Sequence, residues 1–202
     1  MTKEKIIATG AEAILIQQAS KLIKRRIAKS YRIPEIDKKL RKLRTRSEAK
    51  IMDKLKDTIS IPKIIKVDDK SKEIIMELIK GKKLSDSLDS FSLNKQKKVS
   101  REIGKELGKI HDLDIIHGDL TTSNLILKDK KIFFIDFGLG FQNARIEDKA
   151  VDIHLFKQAL ESRHFKHWEK LFSSFLSNYS PKDKDKILKQ FEQVELRGRY
   201  KH

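Results

Sequence analysis

The sequence predicts an α+β protein in two lobes. Residues 1–80 make a small N-terminal lobe of antiparallel sheet plus one long helix, and residues 81–202 a reduced, mainly helical lobe. Three observations predict it. Short β-like runs crowd the first lobe and are interrupted once, by a helical pattern from Pro34 to about Lys56. Helical periodicities dominate from Asn94 onward, apart from one stretch. That stretch, Ile116 to Gly138, reads IHGDLTTSNLILKDKKIFFIDFG: a polar loop, two short apolar runs around a polar turn, and a second polar corner.

In order, Lys3–Ala8 and Ala13–Gln17 flank Gly10-Ala11-Glu12-Ala13 and read as strand, tight turn, strand. Small residues at such a turn let backbone N–H groups approach a phosphate closely. With a single glycine, an ordinary hairpin reads the same way. Ser20–Arg26 is a third strand, with Leu22 and Lys24 on one face and Ile23 on the other. A lysine there reaches the α- and β-phosphates of a nucleotide; the alternative is a solvent lysine. The order of turn, lysine strand and Glu48 helix favours the first. In the helix, Pro34 suits the start, and Glu35 and Asp37 suit its positive end. Ile36, Leu40, Leu43, Ser47 and Ile51 form the expected buried stripe, extended by Met52 and Leu55. Glu48 lies beside it and needs a partner, because a buried unpaired carboxylate is costly. Lys24 is the natural candidate; the alternative is an exposed Glu48 paired with a neighbour such as Arg44, four residues back. Ile61–Val67 and Glu73–Ile79 are two more strands, and Gly81 is a plausible break between lobes. If this break is a hinge, the Glu77 carbonyl and Ile79 N–H pair with an adenine edge, with Met76 behind them.

Leu84–Leu88 reads as a short helix and Asn94–His111 as a longer one that delivers the chain to His117. That histidine is expected to support its loop rather than to catalyse. Leu125–Leu127 and Ile132–Ile135 form a hairpin around Lys128-Asp129-Lys130, which brings Asn124 and Asp136 side by side. Two oxygen-bearing groups so placed suit Mg²⁺, which takes few protein ligands and completes its shell with phosphate and water. Asp119, five residues before Asn124, can accept a proton from an attacking hydroxyl or orient a water. Together these parts make the phosphoryl-transfer arrangement of kinase-like folds. Three helices follow. Glu147–Ser162 places Val151, Leu155 and Ala159 on one face, and carries Asp148 and Asp152 early, where they can bind backbone amides. Phe165–Leu176 has Trp168, Leu171, Phe172 and Phe175 as core. Asp183–Val194 is followed by a basic tail, RGRYKH, expected to be mobile in isolation.

The chain holds 46 basic and 29 acidic residues, a formal net charge of +17. That excess favours a polyanionic partner such as nucleic acid. The competing reading is lysine as a common surface residue, through genome composition or adaptation to heat. Residues 21–50 hold thirteen basic and three acidic residues, 13 − 3 = +10, with Tyr31 among them. Arg41, Lys42 and Arg44 in this run, and Arg197 and Arg199 in the tail, are candidate contacts to an RNA backbone. There is no cysteine, which fits a reducing interior. No apolar run has the length of a membrane span, and the start, MTKEKIIATG, lacks the apolar segment of a signal peptide. A soluble cytoplasmic protein is expected.

Over nearly its whole length the chain resembles the small atypical kinase/ATPase subunit of the KEOPS complex, related to the RIO kinases, in its archaeal stand-alone form. The residues that carry the resemblance are GAEA at Gly10–Ala13, IKRR at Ile23–Arg26, YRIPEID at Tyr31–Asp37, RSEAKIM at Arg46–Met52, HGDLTTSN, IDFGL, EDKAVD at Glu147–Asp152 and RGR at Arg197–Arg199. The resemblance implies that Lys24 binds phosphate and Glu48 is its helix partner. Asp119 would be the catalytic aspartate, and Asn124 and Asp136 the Mg²⁺ ligands. It implies ATP as nucleotide, Ser/Thr kinase activity in isolation and ATP hydrolysis within the complex. That complex transfers threonylcarbamoyl to an adenosine in the anticodon loop of tRNAs reading codons that begin with adenine. The implied partners are the threonylcarbamoyl transferase subunit, a second small KEOPS subunit and tRNA.

The chain departs from ordinary protein kinases in three places. Gly118 stands where most carry arginine, so no activation-loop phosphate switch is expected. No APE motif follows the DFG, and only the eleven residues Leu139–Lys149 separate Gly138 from Ala150. The glycine-rich loop is reduced to one glycine. Peptide docking is thereby put in doubt, while ATP hydrolysis or autophosphorylation is left open. Two alternatives remain: a small-molecule kinase of the aminoglycoside-phosphotransferase type, and a nucleotide-sensing RNA-binding pseudokinase.

Overall fold

A computed structural model describes residues 4–199. Tyr200–His202 of the basic tail and the side chain of Arg199 lie outside the described residues. The N-terminal lobe is one antiparallel sheet of β1 (Lys5–Thr9), β2 (Ala13–Gln18), β3 (Lys21–Arg26), β4 (Ile64–Asp68) and β5 (Glu73–Glu77), in the order β1-β2-β3-β5-β4, with α1 (Pro34–Leu55) crossing between β3 and β4. Strand periodicity governs the runs flanked by tight turns. Ile16 and Ile23 pair across β2 and β3 and both are buried, while β1, at the sheet edge, is exposed throughout.

The second lobe contains β6 (Lys82–Lys83), α2 (Leu84–Ser87), α3 (Leu93–Asp112), β7 (Ile115–Ile116), β8 (Leu125–Lys128), β9 (Lys131–Phe134), β10 (Phe141–Gln142), α4 (Ile146–Arg163), α5 (Trp168–Asn178) and α6 (Lys184–Arg199). β8 and β9 form the expected hairpin, and β6 joins its open edge. Asp129 and Lys130 turn it with φ of 49° and 65°, the two left-handed residues that suit a two-residue hairpin loop. α3 and α5 lie against each other, and Phe156, Phe172, Phe175 and Tyr179 stack into a core continuous with Ile51, Met52 and Leu55 of α1. No helix among the described residues is long and apolar enough to cross a membrane.

Three expected details are overturned. The buried face of α1 is Asp37, Thr45, Glu48, Ile51, Met52 and Leu55, whereas Ile36 and Leu43 are more than half exposed. The N-terminal half of α1 turns its polar row toward the sheet because β3 and the following loop supply cations to meet it. Apolar periodicity therefore pointed to the wrong row. In α4 the buried residues are Lys149, Ala150, Asp152, Ile153, Phe156 and Leu160, while Val151 is exposed. The tail's first residues are not free: α6 continues to Arg199, and Arg197 pairs with Glu147 at 2.6 Å.

Candidate active site

Lys24 and Glu48 are brought together as their burial requires. Lys24 Nζ donates to Glu48 Oε1 at 2.6 Å and to Asp136 Oδ1 at 2.6 Å. Burial alone drives the ammonium toward its neutral form, but the two carboxylates outweigh it and hold the Lys24 pKa above its ordinary value. The same contact holds Asp136, whose burial works the other way, below the usual carboxylate range. A second cation shares Glu48: Arg26 Nη2 donates to Oε2 at 2.6 Å, with both side chains buried. Arg44, the other candidate partner of Glu48, instead pairs with Glu12 at 2.6 Å.

The hairpin sets the opposite side. Ile135 N–H donates to Asn124 O at 3.0 Å, one step beyond the Leu125–Phe134 pair, so Asn124 and Asp136 flank the same open end. Asp136 has φ of 63°, a conformation disfavoured for most residues with a Cβ. Asn124 Nδ2 donates to the Asp119 backbone oxygen at 2.8 Å and to its Oδ2 at 2.9 Å. Those bonds fix the amide, so its oxygen is turned away from Asp119 and free to serve a cation.

The loop carrying Asp119 is anchored from beneath by Asp152, which is fully buried. Its Oδ2 accepts from the His117 N–H at 2.8 Å and its Oδ1 from the Gly118 N–H at 2.9 Å, and His111 Nε2 stands 3.2 Å from Oδ2. His117 acts as a strut. Its Nε2 lies 3.1 Å from Ile135 O, and its Nδ1 accepts from the Asp119 N–H at 3.3 Å. Burial lowers its pKa and keeps the ring neutral, which the accepting Nδ1 requires. Gly118 has a structural cause. Its φ is +79°, and a Cβ there would stand 2.4 Å from Leu139 O. No arginine fits, which accounts for the HGD in place of the common HRD.

The segment after the DFG is pinned to the same loop. β10 pairs with β7, Ala144 N–H donates to Asp114 O at 3.0 Å, and Lys149 pairs with Asp114 at 2.6 Å. Asp148 accepts from the Arg145 N–H at 2.8 Å and starts α4.

A cavity of about 320 Å³ opens between the lobes, walled by the Ala8–Ala13 turn, Leu15, Lys24, Arg26, Asp119 and Gly138. The turn is closed by Gly10 N–H donating to Ala13 O at 2.9 Å, and Lys29 Nζ bonds the Ala11 carbonyl. Met76, Glu77 and Ile79 lie at the far side of β3, where Leu22 pairs with Met76 and Leu78 N–H donates to Ser20 O at 3.0 Å. They do not line this cavity. The candidate RNA contacts are scattered and already opposed: Arg41 by Asp37 at 2.6 Å, Lys42 by Asp69 at 3.9 Å, Arg44 by Glu12 and Arg197 by Glu147. Arg44 reaches the turn, so these helix residues do not all lie away from the Lys24 side. Eight of the thirteen cations in residues 21–50 have an acidic partner, among them Arg25 with Glu73 and Arg46 with Asp69. Sequence reasoning gave Arg26 no role. The signal was the Lys-x-Arg alternation, which puts both cations on one strand face.

The donor set fits a Mg²⁺-bound polyphosphate. The Asp136 and Asp119 carboxylates line the cavity with the cations Lys24 and Arg26, and Asn124 adjoins it through its bonds to Asp119. Among the described residues no cluster of three or more His, Cys, Asp or Glu could hold a metal by itself, so an ion here needs phosphate and water to complete its shell.

Residues 14–151 match the family model described as the RIO domain. The chain is 43% identical to the KEOPS complex subunit Bud32 of Pyrococcus abyssi, over 98% of this chain and 96% of that one. It is 36% identical to a probable serine/threonine-protein kinase BUD32 homolog of Archaeoglobus fulgidus, over 95% and 94%. It is 42% identical to a probable bifunctional tRNA threonylcarbamoyladenosine biosynthesis protein of Methanobrevibacter smithii, of which it covers 37%. Among solved structures, the streptomycin-ATP-APH(2")-IIa ternary complex superposes with a TM-score of 0.66 at 12% identity, over 99% of this chain and 83% of that one, a likeness of fold alone. The chain belongs to the RIO-domain family, among its Bud32 proteins.

Proposed function

We propose that this chain is an ATP-binding atypical Ser/Thr kinase and ATPase that works as a KEOPS subunit in the formation of threonylcarbamoyl-adenosine on tRNA. The observation that carries the reading is Lys24 held between Glu48 and Asp136, on one cavity with Asp119, to which Asn124 is hydrogen-bonded. Asn124 and Asp136 would hold Mg²⁺, which would supply charge neutralisation to the phosphates. Lys24 holds the inner phosphates, and the Gly10–Ala13 turn covers them with backbone N–H groups. Met76, Glu77 and Ile79 receive the adenine. Asp119 takes the proton of the attacking hydroxyl, from water in hydrolysis or from a seryl or threonyl side chain in phosphorylation. The lobes divide at Lys80–Gly81.

The pinned segment from Phe141 to Lys149 leaves no loop on which an extended peptide docks, which supports hydrolysis over phosphorylation of a second protein. The names of the relatives support a place in the KEOPS complex and in tRNA threonylcarbamoyladenosine formation. The transferase subunit, a second small KEOPS subunit and tRNA as partners, and a cytoplasmic setting, belong to the same proposal. On the tRNA side, Lys38 and Lys39 of α1 are exposed and carry no ion pair among the described residues. They join Lys42, the most loosely paired of the three candidates on α1. The likeness to an aminoglycoside-modifying fold adds nothing to the small-molecule alternative, since it rests on 12% identity.

The test is reconstitution of threonylcarbamoyl transfer with this subunit omitted, restored, or restored as Asp119→Asn, beside ATP turnover with and without tRNA and the transferase subunit. We expect modification to need the intact chain and turnover to respond to both partners. Turnover indifferent to both, with modification complete in the chain's absence, would contradict the reading.

A further inference from the structure

Arg26 stands in the cavity wall without a role in the scheme above. Its side chain is 3% exposed, yet only Nη2 of its five-donor guanidinium is engaged by another side chain among the described residues. Two cations therefore share the single Glu48 carboxylate. Lys24 draws on a second one, Asp136 Oδ1, but that is also the carboxylate proposed to hold the metal. Two cations with one carboxylate of their own leave a positive charge at the wall.

The space that this charge faces is defined. Lys24 Nζ and Arg26 Nη2 each lie 3.3 Å from where a Cβ on Gly138 would stand, and Asp136 Oδ1 lies 2.9 Å from it. Gly138 keeps open a small volume on which two cations and a carboxylate converge. The two cations are also staggered. Along β3, Leu22 pairs with Met76 at the adenine end. Lys24 pairs with Leu15, and Arg26 with Ala13, where the turn closes. Two residues of strand span about 6.6 Å. A nucleotide with its base at Met76 meets Lys24 first and Arg26 one phosphate or more further out.

Resting on the nucleotide reading above, we infer that Arg26 is a second phosphate-binding cation, directed at the outermost, transferred phosphoryl group of ATP. A guanidinium is well suited to this role. One edge holds Glu48 while the remaining N–H groups meet phosphate oxygens, which a single ammonium does less well. The structural alternative is that Arg26 only fastens Glu48 and so steadies Lys24. The two roles separate on ADP. A fastener serves ATP and ADP alike, whereas a contact to the outermost phosphate is lost for ATP only.

The experiment measures ATP and ADP affinity with Mg²⁺ by calorimetry for the wild type and Arg26→Met, with a thermal melt to check folding. A hydrogen-bonded charge contact to phosphate predicts a loss of about tenfold for ATP and under about twofold for ADP. If Arg26→Met does not fold, Arg26→Lys keeps a charge on Glu48 and is expected to lose ATP over ADP by several-fold. Equal losses for the two nucleotides, or no loss, overturn the inference and leave the functional reading standing. A folded wild type that binds neither nucleotide removes both.

Discussion

On the C-terminal side of the cleft, the loop from His117 to Asp119 is fixed through its backbone. Two of its amides end on the fully buried Asp152, a third on the His117 ring, and Gly118 fits a conformation and a gap that admit no side chain. On the N-terminal side, the hydrogen-bond partners of the Lys24, Arg26 and Glu48 side chains among the described residues are one another and Asp136. The first wall has a single arrangement. The second is a set of ion pairs able to exchange partners, since Asp136 holds Lys24 through Oδ1 and is also the carboxylate proposed to take the metal. The difference teaches which side of the cleft is template and which is receiver. It also tells where substitutions cost stability and where they cost nucleotide affinity.

The largest effect is expected at the rigid wall. Asp152→Ala leaves two backbone amides and His111 without their buried acceptor. Breaking a buried charged network in this way costs about 3–5 kcal/mol, or a fall in melting temperature of about 10 °C for a chain of this size. Chemical denaturation checks it, and a loss under about 1 kcal/mol would show that the anchor is dispensable.

At the exchangeable wall the same kind of change is expected to register in binding. Glu48→Gln leaves Lys24 to Asp136 alone, so the metal must compete harder for that carboxylate. We expect the Mg²⁺ concentration for half-maximal turnover to rise several-fold, with a stability loss of about 1–3 kcal/mol. An unchanged Mg²⁺ requirement would mean that Lys24 and the metal do not share Asp136.

Acid sharpens the contrast. Burial opposes ionisation of Asp152, but His111 and the loop amides outweigh it and hold its carboxyl below its ordinary value. A depressed folded-state pKa stabilises fully above the unfolded value of about 3.9, and that contribution is lost as pH falls through the folded value. The wild type is therefore expected to lose stability steeply below about pH 3.9, and Asp152→Asn to show a flatter acid limb in the same titration.

Much of the site was legible in the sequence because its logic is local. A hairpin brings its flanks together, so Asn124 and Asp136 could be paired from the two apolar runs between them. Lys24 and Glu48 could be paired because each is costly to bury alone. What failed was the face of α1. The apolar row of Ile36 and Leu43 implied burial, but Asp37, Thr45 and Glu48 face inward because Arg41, the Arg41 carbonyl, Lys24 and Arg26 satisfy them. Hydrophobic periodicity cannot see a polar face whose partners come from other segments. The charge of residues 21–50 is partly opposed in the same way, by acids as distant as Glu12, Asp69 and Glu73.

The smallest effect concerns that charge. Reversing Arg41, Lys42 and Arg44 together sets new carboxylates against Asp37, Asp69 and Glu12, and through Glu12 it is expected to disturb ATP affinity as well. Lys38→Glu with Lys39→Glu is cleaner. If these lysines meet tRNA phosphates, the log–log salt slope of tRNA binding should flatten by about 1 to 2 units, with ATP affinity unchanged. An unchanged slope would return the lysines to a solvated surface.

The exchange at Asp136 is open to direct observation in a crystal structure with Mg²⁺ and a non-hydrolysable ATP analogue. We expect Asp136 to leave Lys24 for the metal, Lys24 to keep Glu48, and the Asp152 bonds to the His117 and Gly118 amides to stay as they are. An analogue bound in the cleft with Lys24 and Asp136 still paired, or with the loop re-formed around it, would contradict the division between a fixed wall and an exchangeable one.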